Sequence, residues 1–222
     1  MARAWQVIDR LESDDGVLEL RRRAPGDFHL CLDGRILMNS RAGRSEEALG
    51  RWTAEAVSDR AAPQLLLGGL GMGLTLRAAL ERLGPEARVE VAEIQPRVRD
   101  WCDGPLREVC GDALDDPRVA VTLGDVAERI GAAQERYDAI ALDLYEGVRP
   151  SPGAPAGDPF YGDAALARAR TALRPRGVFT RWCEQPDPPF EQRLRRAGFR
   201  VESRRVGRGG RRHTVYCGRR DA

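Results

Sequence analysis

The chain has 222 residues, 42% of them apolar and 32% charged, with a formal net charge of +2. That length suits one domain able to bury its core without disulfides or metals, and the composition excludes a disordered or fibrous chain. No apolar run reaches the roughly 18 residues of a membrane span, and Met1 to Gln6 lack the apolar core of a signal peptide, so a cytoplasmic protein is expected.

The cysteines, Cys31, Cys102, Cys110, Cys183 and Cys217, are odd in number, scattered and without a C-x-x-C pair, so reduced, packed thiols are expected and no metal site. Every basic residue is Arg, and residues 193–222 hold eleven of them against Glu202 and Asp221, a distribution that suits contact with an anionic surface.

In chain order, residues 17–20, 28–32 and 35–38 read as short strands, with Asp33-Gly34 as the hairpin turn between the last two. A helix is expected from Ser45, as N-cap, to about Asp59, with Glu46 and Glu47 in the first turn where the helix dipole favours acids. These make an N-terminal β-element and helix over residues 1–60. From Pro63 the pattern alternates: strand 64–67, a glycine loop, helix 74–83, strand 89–92, helix 96–109, strand 119–123, helix 126–134 and strand 139–142. Such alternation predicts an α/β Rossmann-like domain over 61–222, with a mostly parallel sheet covered on both faces. Residues 147–158, rich in Pro and Gly, follow a strand and make a candidate lid. Helix 163–173, strand 178–182, helix 190–197 and strands 199–206 and 213–217 complete the chain, the last two as an antiparallel hairpin.

Chemistry concentrates at the ends of the first strands of the alternating region. Gly68-Gly69-Leu70-Gly71-Met72-Gly73 follows three leucines and opens a helix, and glycines without Cβ atoms let the backbone come close to a ligand. Glu93 closes the second strand, where a carboxylate accepts hydrogen bonds from both ribose hydroxyls of an adenosine. Asp125, followed by Val126, closes the third, in place to accept from an adenine amino group, and Asp143 closes the fourth. A dinucleotide fingerprint counted from Gly69 fails, because its third glycine falls on Leu74; G-x-G-x-G fits S-adenosylmethionine better.

These segments, together with 113–119 (Ala-Leu-Asp-Asp-Pro-Arg-Val), Tyr137-Asp138 and Leu173-Arg174-Pro175, resemble the spermidine synthase family of the class I S-adenosylmethionine-dependent transferase superfamily. The resemblance implies a seven-stranded sheet, an N-terminal β-element that helps build the substrate pocket or a subunit contact, and homodimers. It also exposes departures. Polyamine synthases carry an acid in the glycine loop, where this chain has Gly71; their Tyr-His-Glu run becomes Ser45-Glu46-Glu47, and their D-x-x-D pair becomes Asp143 and Glu146.

An uncharged loop tolerates the carboxylate of intact S-adenosylmethionine, so methyl transfer to a small amine or carboxylate is the first expectation. Asp143 and Glu146 are the catalytic candidates, a carboxylate pair able to hold a cationic amine while its nitrogen attacks. Tyr145, Tyr161 and Trp182, with Phe160, are the candidate pocket walls. Aminopropyl transfer from decarboxylated S-adenosylmethionine is the alternative. An RNA-associated protein using the Arg run at 204–212, or an inactive cofactor-binding relative, are the others. Two histidines far apart in sequence, His29 and His213, give no triad or metal cluster.

Overall fold

The computed structural model describes residues 3–13, 16–144, 157–207 and 212–222. Four strands, β1 (Gln6–Ser13), β2 (Gly16–Ala24), β3 (Asp27–Leu32) and β4 (Arg35–Asn39), form an antiparallel meander in chain order. Asp33 and Gly34 both take positive φ, 47° and 77°, as a two-residue hairpin turn requires. The sequence reading has no counterpart for β1. Its residues are half-buried or exposed throughout, so it lacks the buried alternate positions that mark a strand.

Helix α1 (Arg44–Glu55) leads into a seven-stranded sheet of order β10-β11-β9-β8-β5-β6-β7. Strands β5 (Gln64–Gly68), β6 (Arg88–Glu93), β7 (Val119–Leu123), β8 (Tyr137–Leu142) and β9 (Leu173–Cys183) run parallel, while β11 (His213–Arg220) runs against both β9 and β10 (Phe199–Val206). Crossovers are made by α2 (Leu74–Leu80), α3 (Pro96–Asp103) with α4 (Arg107–Cys110), α5 (Val126–Gly131) and α6 (Asp163–Ala172); α7 (Pro188–Arg196) precedes β10. The single helix expected over 96–109 is two, because Gly104 ends α3 just before Pro105, whose ring disfavours helical backbone in the residue ahead of it.

Leu65 to Leu67 and all of β8 are buried, as strands covered on both faces must be. One apolar core runs from Leu18, Leu20 and Leu30 of the meander through Leu49 of α1 to Leu65 and Val89, and a second lies on the opposite sheet face around Leu66, Ile140 and Phe190. Helix α1 approaches α2 closely enough that a Cβ at Gly50 would stand 2.2 Å from the Thr75 carbonyl oxygen, so only glycine fits that crossing. The crossover through α5, from β7 back past β6 and β5 to β8, reverses the strand order between β5 and β8. Such folds bind ligands there, beyond the carboxyl ends of the strands. Among the described residues no helix is long and apolar enough to cross a membrane.

Two motifs of the resemblance are structural. Arg118 grips Asp116 through Nε and Nη2 and reaches the Leu83 carbonyl. Arg174 pairs with buried Asp138 at 2.8 Å, and Asp138 in turn accepts from the Gln64 amide that starts β5. All five cysteines are buried thiols.

Candidate functional site

The loop after β5 bends three times through left-handed backbone, at Gly69 (φ 86°), Gly71 (53°) and Gly73 (72°). A Cβ at each would meet Asp143 O at 2.6 Å, Met38 Sδ at 2.6 Å and Cys110 Cβ at 2.5 Å respectively. Glycine is therefore demanded by chain path and packing at once. The loop is tied to β6 by Glu93, whose Oε2 accepts from the Leu70 amide and Oε1 from the Gln95 amide, both at 2.8 Å. Glu93 is buried, and each oxygen keeps a lone pair after these bonds. This is a carboxylate fixed by backbone donors and still able to accept from a pair of vicinal hydroxyls.

Asp125 serves as N-cap of α5, its Oδ1 accepting from the Ala127 amide at 2.8 Å. Val126 is buried, and its methyl groups lie about 3 Å from where a Cβ on Gly68 would stand, which keeps that strand end bare. Ile94 and Leu123, at the carboxyl ends of β6 and β7, are among the few large apolar side chains left exposed. Apolar side chains and carboxylates thus border the carboxyl ends of the strands, where such folds have their ligand crevice.

Across the strand-order reversal stands Asp143. Its amide donates to Gly68 O, and its Oδ2 lies 2.6 Å from Thr75 Oγ1, which is also 3.1 Å from the Glu46 carbonyl oxygen. A hydroxyl has one proton for these two acceptors. An ionised Asp143 takes it, whereas a protonated Asp143 donates to Thr75 and frees the Thr75 proton for the Glu46 carbonyl, which the α1 ladder already engages. Burial first, and then the negative charge of Glu46, push the Asp143 carboxyl up to about 7, with the Thr75 hydrogen bond opposing.

Glu46 belongs to the first turn of α1 and is itself buried. Its Oε2 is 2.5 Å from Ser45 Oγ, which is 2.7 Å from His213 Nδ1 on β11. The Trp182 ring lies 4.9 Å from the His213 ring. Ser45 is thus not the expected N-cap. That place falls to Gly43, without a side-chain cap, because the Ser45 hydroxyl is turned inward to Glu46 and His213.

Of the sequence-selected residues, Gly68, Gly69, Gly71, Gly73, Glu93, Asp125 and Asp143 gather at this one end of the sheet, and Trp182 stands beside His213. Tyr161 goes elsewhere: it is buried in the second core, under the Arg181 guanidinium at 3.7 Å and edge-on to Phe190. Tyr161 sits there because Arg181 and Trp182, adjacent on β9, face opposite sides of the sheet. Tyr145 and Glu146, and most of the candidate lid, lie outside the described residues. Four residues escaped selection: Met38, Glu46, Thr75 and His213. Glu46 and Thr75 carried a signal, an acid and a hydroxyl buried on amphipathic helices; nothing in the sequence joins His213 to Ser45, 168 positions away.

No protein-family model matches the chain. A polyamine aminopropyltransferase of Mycobacterium tuberculosis (strain H37Rv) is 37% identical over 155 residues, 68% of this chain and 29% of the relative. One of Sulfolobus acidocaldarius is 36% identical over 88 residues, 40% of this chain and 28% of the relative. The matched segments thus span less than a third of these curated relatives. Spermidine synthase from Thermotoga maritima superposes with a TM-score of 0.75 at 18% identity, covering 96% of this chain and 72% of that one. A spermidine synthase in complex with the transition-state analogue AdoDATO gives 0.72 at 19%, over the same shares. The solved structures share the fold, the curated relatives share part of the sequence, and the chain accordingly resembles the spermidine synthase-like family.

Proposed function

We propose that this chain transfers an aminopropyl group from decarboxylated S-adenosylmethionine to a small amine. The observation that carries the reading is a pair of acids beside the glycine loop, half-buried Asp143 and buried Glu46, with the Thr75 hydroxyl bonded to the Asp143 carboxyl and to the main-chain carbonyl of Glu46. Acids here suit a cationic partner, whose charge draws Asp143 into its ionised form, and disfavour the carboxylate of intact S-adenosylmethionine. Glu93 accepts the ribose hydroxyls, Ile94 and Leu123 offer apolar surface to the base, and the loop backbone lies along the sulfonium side. The amine nitrogen attacks the propyl carbon, the carbon–sulfur bond breaks, and its electron pair stays on sulfur as a neutral thioether. Asp143 holds the attacking amine in line. The names of the relatives support this chemistry.

The methyl transfer suggested by Gly71 gives way for a physical reason. The space a side chain would take there is filled by Met38 of β4, so the missing acid reflects how the meander packs on the loop rather than a preference for the cofactor carboxylate. A small-molecule acceptor, a dimer and a cytoplasmic setting belong to the same proposal. RNA is not favoured: Arg204, from the basic run, is held over the Trp52 ring at 4.0 Å.

Calorimetry with decarboxylated and intact S-adenosylmethionine, side by side, tests the reading. A tenfold preference for the decarboxylated form, about 1.4 kcal/mol, with methylthioadenosine released on adding putrescine or another diamine, is expected. The opposite preference, with a labelled methyl group leaving the cofactor, would return methyl transfer. Binding of neither would end the nucleoside reading.

A further inference from the structure

Transfer to an amine has a proton to dispose of. An ammonium must lose one before its nitrogen can attack, and Asp143, bonded to Thr75 and raised to about 7, is one group that can take it. The structure offers another route. Ser45 Oγ sits between Glu46 Oε2 at 2.5 Å and His213 Nδ1 at 2.7 Å, both within the reach of a hydrogen bond. A serine hydroxyl both donates and accepts, so it transmits a proton between two such neighbours. Ser45 and Glu46 are buried while His213 is half-buried, and its Nε2 makes no hydrogen bond among the described residues. The chain therefore leads from the carboxylate pair outward.

We propose that Glu46, Ser45 and His213 form a proton outlet for the amine acceptor, with Glu46 taking the ammonium proton and passing it through the Ser45 hydroxyl to the histidine. The inference rests on the amine-transfer reading above. In bonds, the ammonium N–H breaks and an O–H forms on Glu46. That proton moves to Ser45 Oγ as the serine's own proton moves to His213 Nδ1, and the imidazolium releases its Nε2 proton to water. No electrons change hands. Glu46 touches the acceptor; Ser45 and His213 act through it and are positioning residues.

Packing supports a path rather than a mere strut. On the His213 face, Trp182 of β9 and Val206 of β10 are uncharged, and Arg204 of β10 is committed to Trp52. Glu46 of α1 and Asp143 after β8 bear on this chain from one side, and Glu184, one residue beyond the Cys183–Thr214 pair and 3.3 Å from Arg35, stands at the His213 end. A serine, which binds one neighbour as donor and the other as acceptor, replaces at this position the tyrosine of the Tyr-His-Glu run that the family resemblance leads one to expect.

Two measurements test the outlet separately from the transfer reading. First, with decarboxylated S-adenosylmethionine and a diamine, Ser45→Ala and His213→Gln should lower kcat about 10-fold, and Glu46→Gln about 100-fold. KM for the nucleoside should stay within twofold and the pH profile of kcat should change shape, while Ser45→Thr, which keeps the hydroxyl, retains activity. Second, long-range proton–nitrogen NMR of the protein's two histidines, assigned with His29→Gln, reads His213 Nδ1 without turnover. Its signal should move in Glu46→Gln, though Glu46 does not touch the ring, and move further in Ser45→Ala. Wild-type kcat and pH profile in Ser45→Ala, or a His213 signal indifferent to Glu46→Gln, would overturn the outlet. If the wild type releases no methylthioadenosine with any diamine, the transfer reading falls instead, and the NMR result alone decides whether the outlet stands.

Discussion

The two sides of the crevice are built by different means. On the nucleoside side, Gly69 to Gly73 and Glu93 lie within 25 residues of one another, and Glu93 is fixed by two backbone amides. On the acceptor side, Ser45, Glu46, Thr75, Asp143 and His213 come from α1, α2, the end of β8 and β11, and side chains hold most of them together. Backbone-made geometry survives wherever the strand–loop–helix path survives. Side-chain geometry is free to be rebuilt when the acceptor changes, which is where this chain departs from the polyamine synthase pattern.

The largest expected effect tests whether the acceptor side is poised for a cation. The Asp143 carboxyl, raised from an ordinary 3.8 to about 7, keeps its proton in the folded chain at pH values where the unfolded chain has released it. The folded state then binds more protons, so this group's stabilisation is full below pH 3.8 and is lost as pH rises through 7. At about 1.4 kcal/mol per pKa unit, urea unfolding should show ~3 kcal/mol of stability lost between about pH 5 and 8 on account of this residue. Asp143→Asn should flatten that slope by the same amount. An unchanged slope in the variant would mean that the carboxyl is ionised throughout and the Thr75 argument is wrong. A cationic amine that binds here should also release close to one proton near pH 6, measurable as a buffer-dependent binding heat.

On the nucleoside side, Glu93→Gln keeps the shape but places an amide NH2 against one of two backbone donors. The lost charge-assisted bonds and the new donor–donor contact should weaken methylthioadenosine binding by about 30- to 100-fold, or ~2–3 kcal/mol. Unfolding stability should fall by about 1–2 kcal/mol. Comparable affinity in the variant would show that the carboxylate serves only to tie Leu70 and Gln95, and that the ribose is read elsewhere.

How far each side was legible in the sequence follows from the same contrast. The glycine loop, Glu93 and the alternation of strand and helix could be read because each is a local pattern with one physical cause. The antiparallel closing hairpin could also be read, from two strands with too short a link for a crossover. Strand β1 could not, since none of its residues is fully buried, and the break at Gly104 was hidden by a helical pattern continuing on either side. Asp143 stood out at a strand end, but its partner did not: Glu46 looked like a first-turn acid serving the helix dipole. His213 acquires meaning only when β11 is laid against β9, which brings it over α1. Tyr161 was misplaced because which side of β9 its packing partners occupy is a tertiary fact.

The smallest effect bears on why the two sides meet as they do at Gly71. An aspartate there, with φ at 53°, takes a backbone conformation that Asp tolerates better than most residues, but its Cβ would stand 2.6 Å from Met38 Sδ and 3.0 Å from Cε. Gly71→Asp alone should therefore cost about 1–3 kcal/mol from overpacking. Met38→Ala, at a half-buried position on β4, should cost about 1–2 kcal/mol in lost packing. If the methionine is what keeps an acid out of the loop, the double variant should be more stable than the sum predicts by about 1 kcal/mol. Its affinity for decarboxylated S-adenosylmethionine should also rise relative to the intact cofactor. Strict additivity, with no change in that preference, would separate the loop from the meander. The missing acid would then need a cause on the ligand rather than in the packing, which is the outcome most favourable to methyl transfer.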